Sequence, residues 1–341
     1  MTRRTSLPTA KFVTGDGVFA GWRDDVLTGT APILFPHTLP VPEISPGAVV
    51  LLGGAPGAGK TALVMQCVVE ALRHTPTLRA LVANVEMPPA ALFDRQLARL
   101  SGIEAEVIRH RRFTAEHAER LDAGLATIES FAERLAFLTP PFDLSNVAAA
   151  ADAHRADLIL LDYLQRILPP GDVADPRLRA NAVMGWLRQF ADAGCGVLAL
   201  SAVGRSRDAA GRSTYAAGSM SLASFRDSGE LEYGADDAFL LAPVDDADPN
   251  VVRLSHLKCR HGAQRTIDLH FDRPRQAFTL LDDAVDARPA SKPARGKRGR
   301  QPKGATPHPE FSPEQLAALW KSTPAAPADA VADDADDGGA E

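Results

Sequence analysis

The chain reads as an α/β fold: a mostly parallel sheet with helices on both faces and an antiparallel C-terminal extension. Three observations predict it. Residues 53–61 are GGAPGAGKT, set between the apolar run 48–52 and the helix-like run 62–70. Further apolar runs at 80–85, 135–138, 158–161 and 197–200 alternate with helical periodicity at 90–100, 115–132 and 178–193. After Ala235 the pattern changes to strand-like runs joined by short turns, at 238–241, 251–256, 266–271 and 277–281. Continuous apolar strands separated by helices are buried on both faces, as parallel strands are. The four late runs fit an antiparallel extension of that sheet.

Taken in order, residues 1–45 form an arm. Within it, 18–27 (VFAGWRDDVL) predicts one short amphipathic helix. Pro32, Pro36, Pro40, Pro42 and Pro46 then keep the chain extended up to the first strand. Residues 46–281 carry the strand and helix alternation and form one domain. Residues 282–341 are rich in Ala, Pro, Asp and Gly and read as a disordered tail. Two features interrupt it. Residues 292–303 (KPARGKRGRQPK) are basic without an acid, either a solubilising linker or an auxiliary contact to a phosphate backbone. Residues 311–321 (FSPEQLAALWK) seed a helix, with Ser312 as N-cap, Pro313 at N1 and Gln315 at N3. That segment is either an unstructured part of the tail or a docking peptide for a partner protein.

Composition narrows the class. Of 341 residues, 45% are hydrophobic, enough for a sizeable core. The net charge of −6 excludes a chain that is basic throughout, so any nucleic-acid contact comes from a local patch. The first ten residues lack an apolar signal region, and no run approaches the roughly 20 apolar residues of a membrane span. Cys67, Cys195 and Cys259 are far apart, odd in number and without metal-ligand spacing. A cytoplasmic protein with free thiols and no membrane attachment is expected.

The chemistry starts at the glycine-rich loop. Gly54, Gly59, Lys60 and Thr61 satisfy G-x-x-x-x-G-K-[ST], the P-loop, in the strand–loop–helix context that the motif needs. The loop Gly54, Ala55, Pro56, Gly57, Ala58 and Gly59 wraps its backbone around a phosphate, with N–H groups from every member but Pro56. Lys60 brings charge to the β- and γ-phosphates, and the Thr61 hydroxyl is a ligand for Mg²⁺. ATP with Mg²⁺ is the expected cofactor. About one hundred residues on, Leu158-Ile159-Leu160-Leu161-Asp162 is a buried strand ending in a carboxylate, the Walker B arrangement, with Asp162 on the Mg²⁺ water shell. The next residue is Tyr163, where many P-loop ATPases carry a water-activating Glu. The base must then come from elsewhere. Glu86 ends the run 81–85, and neighbouring parallel strands end at one sheet edge, so Glu86 can face the γ-phosphate beside Asp162. Alternatively, Glu86 caps the helix that follows Pro88-Pro89.

Several strings in order resemble the C-terminal ATPase domain of the DnaB-type replicative helicases, hexameric RecA-like motors. Val85-Glu86-Met87-Pro88, with Arg95 downstream, resembles the family's Glu-Met-Pro segment, whose Glu is the catalytic base. Asp162-Tyr163-Leu164-Gln165 matches its Walker B block. Phe225-Arg226-Asp227-Ser228-Gly229-Glu230-Leu231-Glu232, ending in Ala235-Asp236, resembles its Leu-Arg-Glu-Ser-Gly block. Lys258-Cys259-Arg260-His261-Gly262 resembles the Lys-x-Arg-x-Gly hairpin that presents cations to the neighbouring subunit's ATP. The likeness covers about residues 46–281.

The resemblance implies a RecA-like P-loop NTPase fold, an ATP hydrolase of the DNA helicase type, and a homo-oligomeric ring of six acting on single-stranded DNA. Lys60, Thr61, Glu86 and Asp162 of one subunit then share a site with Lys258 and Arg260 of the next. The alternative for Arg260 is a local, structural pair with an acid such as Asp268 or Asp272. Residues 18–27 fall where the family's linker helix docks on its neighbour. The loop 204–221, carrying Arg205, Arg207 and Arg212, falls at the family's channel loop that contacts DNA, and its other reading is a mobile surface loop. Three departures stand out. Ala202 replaces the Gln that senses the γ-phosphate, unless Ser201 or Arg205 substitutes. The primase-recruiting N-terminal domain has no counterpart in the residues before the P-loop strand. His261 replaces the family's Asn. The first and second departures favour a rival, a non-unwinding RecA-like ATPase with a regulatory, recombination-mediator or plasmid or phage maintenance role. A small-molecule P-loop kinase is disfavoured, since it has no use for a cation hairpin acting in trans.

Overall fold

The computed structural model describes residues 13–171, 175–204, 206–207, 213–214, 222, 225, 234–244 and 248–281, with only the backbone at 176–177, 206–207 and 213–214. Two compact units are distinguished, Met1–Pro32 with Arg295–Glu341, and Ile33–Ala294. The described element of the first is a helix, α1 (Gly15–Thr28), closed by Gly29 at φ 71°. It covers the expected 18–27 and starts three residues earlier. None of its residues is buried, and Val18, Phe19, Trp22 and Val26 leave an apolar stripe on its surface.

The second unit is built on nine strands: β1 (Val49–Gly54), β2 (Ala80–Asn84), β3 (Leu135–Phe137), β4 (Leu158–Asp162), β5 (Gly196–Ala202), β8 (Asp237–Pro243), β9 (Val251–Cys259), β10 (Ile267–Asp272) and β11 (Ala277–Leu280). A small hairpin, β6 (Ser206–Arg207) with β7 (Ser213–Thr214), lies apart. The sheet order is β11-β10-β9-β8-β1-β5-β4-β2-β3. From β8 to β3 all pairings are parallel, and β9, β10 and β11 close the other side antiparallel. The expected architecture is therefore present with one correction. The run 238–241 is not part of the antiparallel extension on both sides: β8 runs parallel to β1 and antiparallel only to β9.

Alternation along β1 explains the two-sided burial. Val50 and Leu52 point into one core with Leu63, Val64 and Val68 of α2 (Lys60–His74) and Leu92 of α3 (Pro89–Ser101). Val49 and Leu51 point into a second core with Val147 of α6 (Leu144–His154) and Met184 and Leu187 of α7 (Pro176–Asp192). The predicted helix 115–132 is a 3₁₀ turn at Ala115–His117 followed by α5 (Ala118–Ala132). The helices α4 (Ala105–Arg109) and α6 were not anticipated. The second is Ala-rich and weakly amphipathic, and is marked by its cap, the Asp143 carboxylate accepting from Asn146 N at 2.8 Å.

Two contacts fix what surrounds the P-loop. The buried Gln66 amide on α2 accepts from Phe278 N (2.9 Å) and donates to Phe278 O (3.0 Å), so a side chain continues the ladder and docks β11 on the helix. Glu70 of α2 and Arg99 of α3 form a buried ion pair at 2.9 Å, and Glu70 also accepts from Thr38 N at 2.7 Å. Among the described residues no helix is long and apolar enough to cross a membrane.

Candidate active site

The ends of β1, β2, β4 and β5 converge on one sheet edge, where a cleft of about 510 Å³ opens. Its floor is the P-loop. A Cβ on Gly54 would lie 2.4 Å from Leu241 O, and one on Gly59 would lie 2.7 Å from Phe271 Cε1. Gly57 and Gly59 have φ of 75° and 94°, which side chains rarely adopt. The loop thus needs glycine for close packing and for backbone direction. Lys60 Nζ reaches back to Gly54 O (2.9 Å) and Ala55 O (3.0 Å). Burial lowers its pKa, opposed by the charges of Asp162 and Glu86.

Asp162 is buried at the end of β4. Its Oδ2 accepts from Thr61 Oγ1 at 2.6 Å and from Asn84 Nδ2 at 2.7 Å. Burial raises its pKa, and the Thr61 hydrogen bond works the other way. Asn84 is its register partner on β2. The other end of that amide, Oδ1, accepts from Glu86 N (2.9 Å) and Met87 N (2.7 Å), forming the turn that brings Glu86 to the cleft wall. The N-cap of α3 is Pro88, without a side-chain cap, so Glu86 does not cap that helix. Of the residues expected to bind phosphate, metal and water, Gly54, Pro56, Gly57, Gly59, Lys60, Thr61, Glu86 and Asp162 therefore line one space, and Ala55 and Ala58 are buried behind it.

Further residues surround the cleft, of which Arg273 carried no recognisable signal in the sequence. Arg273 donates to Gly57 O (2.8 Å) and Pro249 O (2.7 Å), with its guanidinium 5.0 Å from the Phe271 ring centroid. It clamps the loop from β10, more than two hundred residues away along the chain. Arg95 lines the cleft from α3, its pKa lowered by burial and held up by Asp162. At the end of β5, Ser201 is fully buried. It accepts from Gln165 Nε2 (2.8 Å) and donates to Ala202 O (3.1 Å), while Gln165 Oε1 accepts from Ala202 N (3.1 Å). The Ser201 hydroxyl is thus engaged by Gln165 and Ala202 and does not line the cleft.

Lys258 and Arg260 are not in this cleft. Gly54 pairs with Leu241, whereas Cys259 pairs with Asp237 at the far end of β8. Four residues separate the two levels, about 13 Å along the strands. There Arg260 Nη1 meets Asp236 Oδ1 at 2.5 Å, Arg188 Nη1 meets Asp236 Oδ2 at 2.6 Å, and Val49 N donates to the same carboxylate at 2.8 Å. Lys258 Nζ donates to Ala235 O at 2.7 Å. A local acid does hold Arg260, but it is Asp236. Asp268 pairs with Arg253, and Asp272 with Arg275. Arg205, Arg212 and the side chain of Arg207 lie outside the described residues, as do 226–233 and everything after Leu281. The expectations for the DNA loop, the basic run and the short helix of the tail fall there.

Two solved structures share this fold at 18% identity. The ATPase domain of G40P has a TM-score of 0.66, over 80% of this chain and 100% of that one. A DnaB-like replicative helicase, solved with its interactions with primase, has a TM-score of 0.67, over 80% and 68%. No curated protein matches the sequence significantly. The family model of the DnaB-like helicase C-terminal domain matches residues 43–280, well over half of the chain. With the P-loop, Walker B strand and mixed sheet in place, the chain belongs to the DnaB-like helicase C-terminal domain family, whose fold is that of a helicase-type ATPase.

Proposed function

We propose that this chain is the ATP-hydrolysing motor of a ring of identical subunits, six by analogy with its family, acting on single-stranded DNA. One observation carries the reading: the cleft residues and the cation pair to which we assign the two halves of a phosphoryl-transfer site lie toward opposite ends of the same strands. Lys60, Thr61, Glu86 and Asp162 line the cleft, while the levels of Lys258 and Cys259 on β9 lie three and four residues away, about 10–13 Å along the strands, with Arg260 next beyond. A subunit cannot bring both halves to one nucleotide, but two subunits packed edge to edge can.

The roles follow from the contacts. The Lys60 ammonium, freed from the carbonyls of Gly54 and Ala55, neutralises the β- and γ-phosphates. Glu86 accepts a proton from the attacking water at the cleft wall. Thr61 and Asp162 suit Mg²⁺, because a hydroxyl and a carboxylate oxygen 2.6 Å apart form a hard oxygen donor set. When bound, that ion draws off charge from the transferring phosphoryl group. Arg260 approaches the neighbour's phosphates, and Asp236 holds its guanidinium while its side chain remains 43% exposed. The exposed stripe of α1 supports the same assembly, since Trp22 is 56% exposed and suits burial against a second copy.

The second reading, an ATPase that does not unwind, rests on Ala202 and on the commitment of Ser201 to Gln165. Among the described residues, no polar side chain at the end of β5 is left to sense the γ-phosphate. A strand-displacement assay run beside a DNA-stimulated ATPase assay separates the two. Displacement is expected. Stimulation without displacement selects the second reading, and a monomer by native mass measurement with ATP and Mg²⁺ removes the ring.

A further inference from the structure

Beside the two cations, on the opposite face of the same strands, Asp237, His256 and Cys259 come together. Each offers one ligand atom, and the three atoms lie within 4.8 Å of one another. A break in strand register brings this about. Cys259 pairs with Asp237 and Lys258 with Ala238, but Phe239 pairs with His256, so Leu257 is the extra residue of a β-bulge. In a regular strand, residues 256 and 259 would face opposite sides. The bulge turns both to the side of Asp237.

The cluster has a built character. The His256 side chain is 5% exposed, and its ring stacks on Phe239 with centroids 4.0 Å apart, which fixes its plane. His256 Nε2 is 2.9 Å from Asp237 Oδ1. Its Nδ1 accepts from Arg265 N at 3.2 Å, so the proton of the neutral ring sits on Nε2 and points at the carboxylate. Burial and the neighbouring Asp237 carboxylate raise the pKa of the Cys259 thiol. Imidazole and thiol thus both stand beside one carboxylate. The carboxylate lies between thiol and imidazole, so this is not a Cys-His nucleophile, in which the imidazole must face the sulfur.

We propose that Asp237, His256 and Cys259 bind a zinc ion, which takes the place of the two protons between them. Thiolate, imidazole and carboxylate together are a zinc donor set rather than a magnesium or calcium one. Zinc–ligand bonds of about 2.0–2.3 Å put tetrahedral ligand atoms about 3.5 Å apart, so modest side-chain rotation closes the cluster. Water fills the fourth position. On binding, the thiol proton leaves to solvent, and the imidazole proton moves from Nε2 to Nδ1. The Arg265 N–H contact then opens, because both partners carry hydrogen. The charge of the site changes from −1 on Asp237 to zero, with Zn²⁺ balancing one thiolate and one carboxylate. The ion ties β8 to β9 at the root of Lys258 and Arg260 and braces the strand that presents them.

Cobalt(II) added to the chelator-stripped full-length chain, without nucleotide, tests the site. The expected result is one equivalent bound, with a thiolate-to-cobalt charge-transfer band and the intense visible bands of a four-coordinate ion. Zn²⁺ abolishes both by displacement. Cys259→Ser removes the charge-transfer band, His256→Ala weakens cobalt binding by more than about 100-fold, and Cys195→Ser changes neither. The unsubstituted chain gives a second measurement that does not depend on a variant folding. Zinc at ten times its Kd slows alkylation of Cys259 about tenfold and leaves Cys195 unaffected. A cobalt complex without a thiolate band, a band that survives Cys259→Ser, or alkylation of Cys259 indifferent to zinc overturns the proposal.

Discussion

Asn84 joins the two acidic groups of the cleft, donating to Asp162 and accepting from the N–H groups that place Glu86. The carboxylates then do different work. Glu86 stands at the wall of the open cleft and suits a base, so Glu86→Gln should retain ATP binding and lose at least about 100-fold in kcat. Near-normal turnover in that variant would remove it from the role. Asp162 is buried, and its raised pKa has a thermodynamic consequence. The folded chain holds this proton to higher pH than the unfolded chain does. The associated stability is therefore complete below the unfolded pKa and is lost as pH rises through the folded one. Melting of the nucleotide-free protein across that window should show the loss in the parent and a weaker dependence in Asp162→Asn. Parallel curves would count against it. Legibility at this scale follows chemistry that comes as strings. The P-loop and Asp162 were readable because local spacing defines them. Glu86 was found by strand order and left open between base and helix cap, and the Pro88 cap closes off the second. Asn84, Arg273 and Asp236 could not be assigned their partners, because each acts through a residue remote in sequence.

At the scale of elements, α2 and α3 are locked by Glu70 and Arg99, whose side chains are 4% and 8% exposed. Removing one member leaves an uncompensated buried charge, so Arg99→Ala should cost about 3–5 kcal/mol in urea unfolding. Glu70 would retain the Thr38 N–H and Arg99 alone would be gone. The exposed pair of Arg112 and Glu106 is the contrast, and Arg112→Ala should change stability by less than about 0.5 kcal/mol. Equal costs for the two would refute the argument from burial. Strand and helix positions were legible because two-sided burial makes β1, β2 and β4 continuously apolar. The direction of β8 was not. An apolar run carries no arrow, and the parallel pairing of β8 joins Asp237 to Val50, nearly two hundred residues apart. The hairpin of β6 and β7 was missed because four polar residues give no periodicity.

At the scale of the whole molecule, the question is whether an active site is completed by another copy. Family membership was readable from ordered motifs. A local acid for Arg260 was foreseen as the alternative, but its identity was not, since charge alone does not select Asp236 over Asp268 or Asp272. The DNA loop is tested separately. Arg205, Arg207 and Arg212 replaced together by Ala should weaken single-strand binding and flatten its salt dependence, because fewer counterions are released. An unchanged slope would move the contact to residues 292–303. The ring itself is tested by mixing. Arg260→Ala should lose a factor on the order of 10³ or more in turnover while still binding ATP, the scale of arginine-finger enzymes. A purely structural Arg260 would lose activity too, because Asp236 would keep only Arg188 and Val49 N. The loss alone therefore decides nothing. Lys60→Ala chains still carry Arg260 and Asp236, and Arg260→Ala chains still carry an intact cleft. Co-assembled, they create some junctions at which a whole cleft meets a whole Arg260, and activity should partly return. A structural defect confined to its own subunit gives no such rescue. A mixture as inactive as its components, with subunit exchange verified, would mean that Arg260 serves only its own fold and that hydrolysis here does not depend on a shared site.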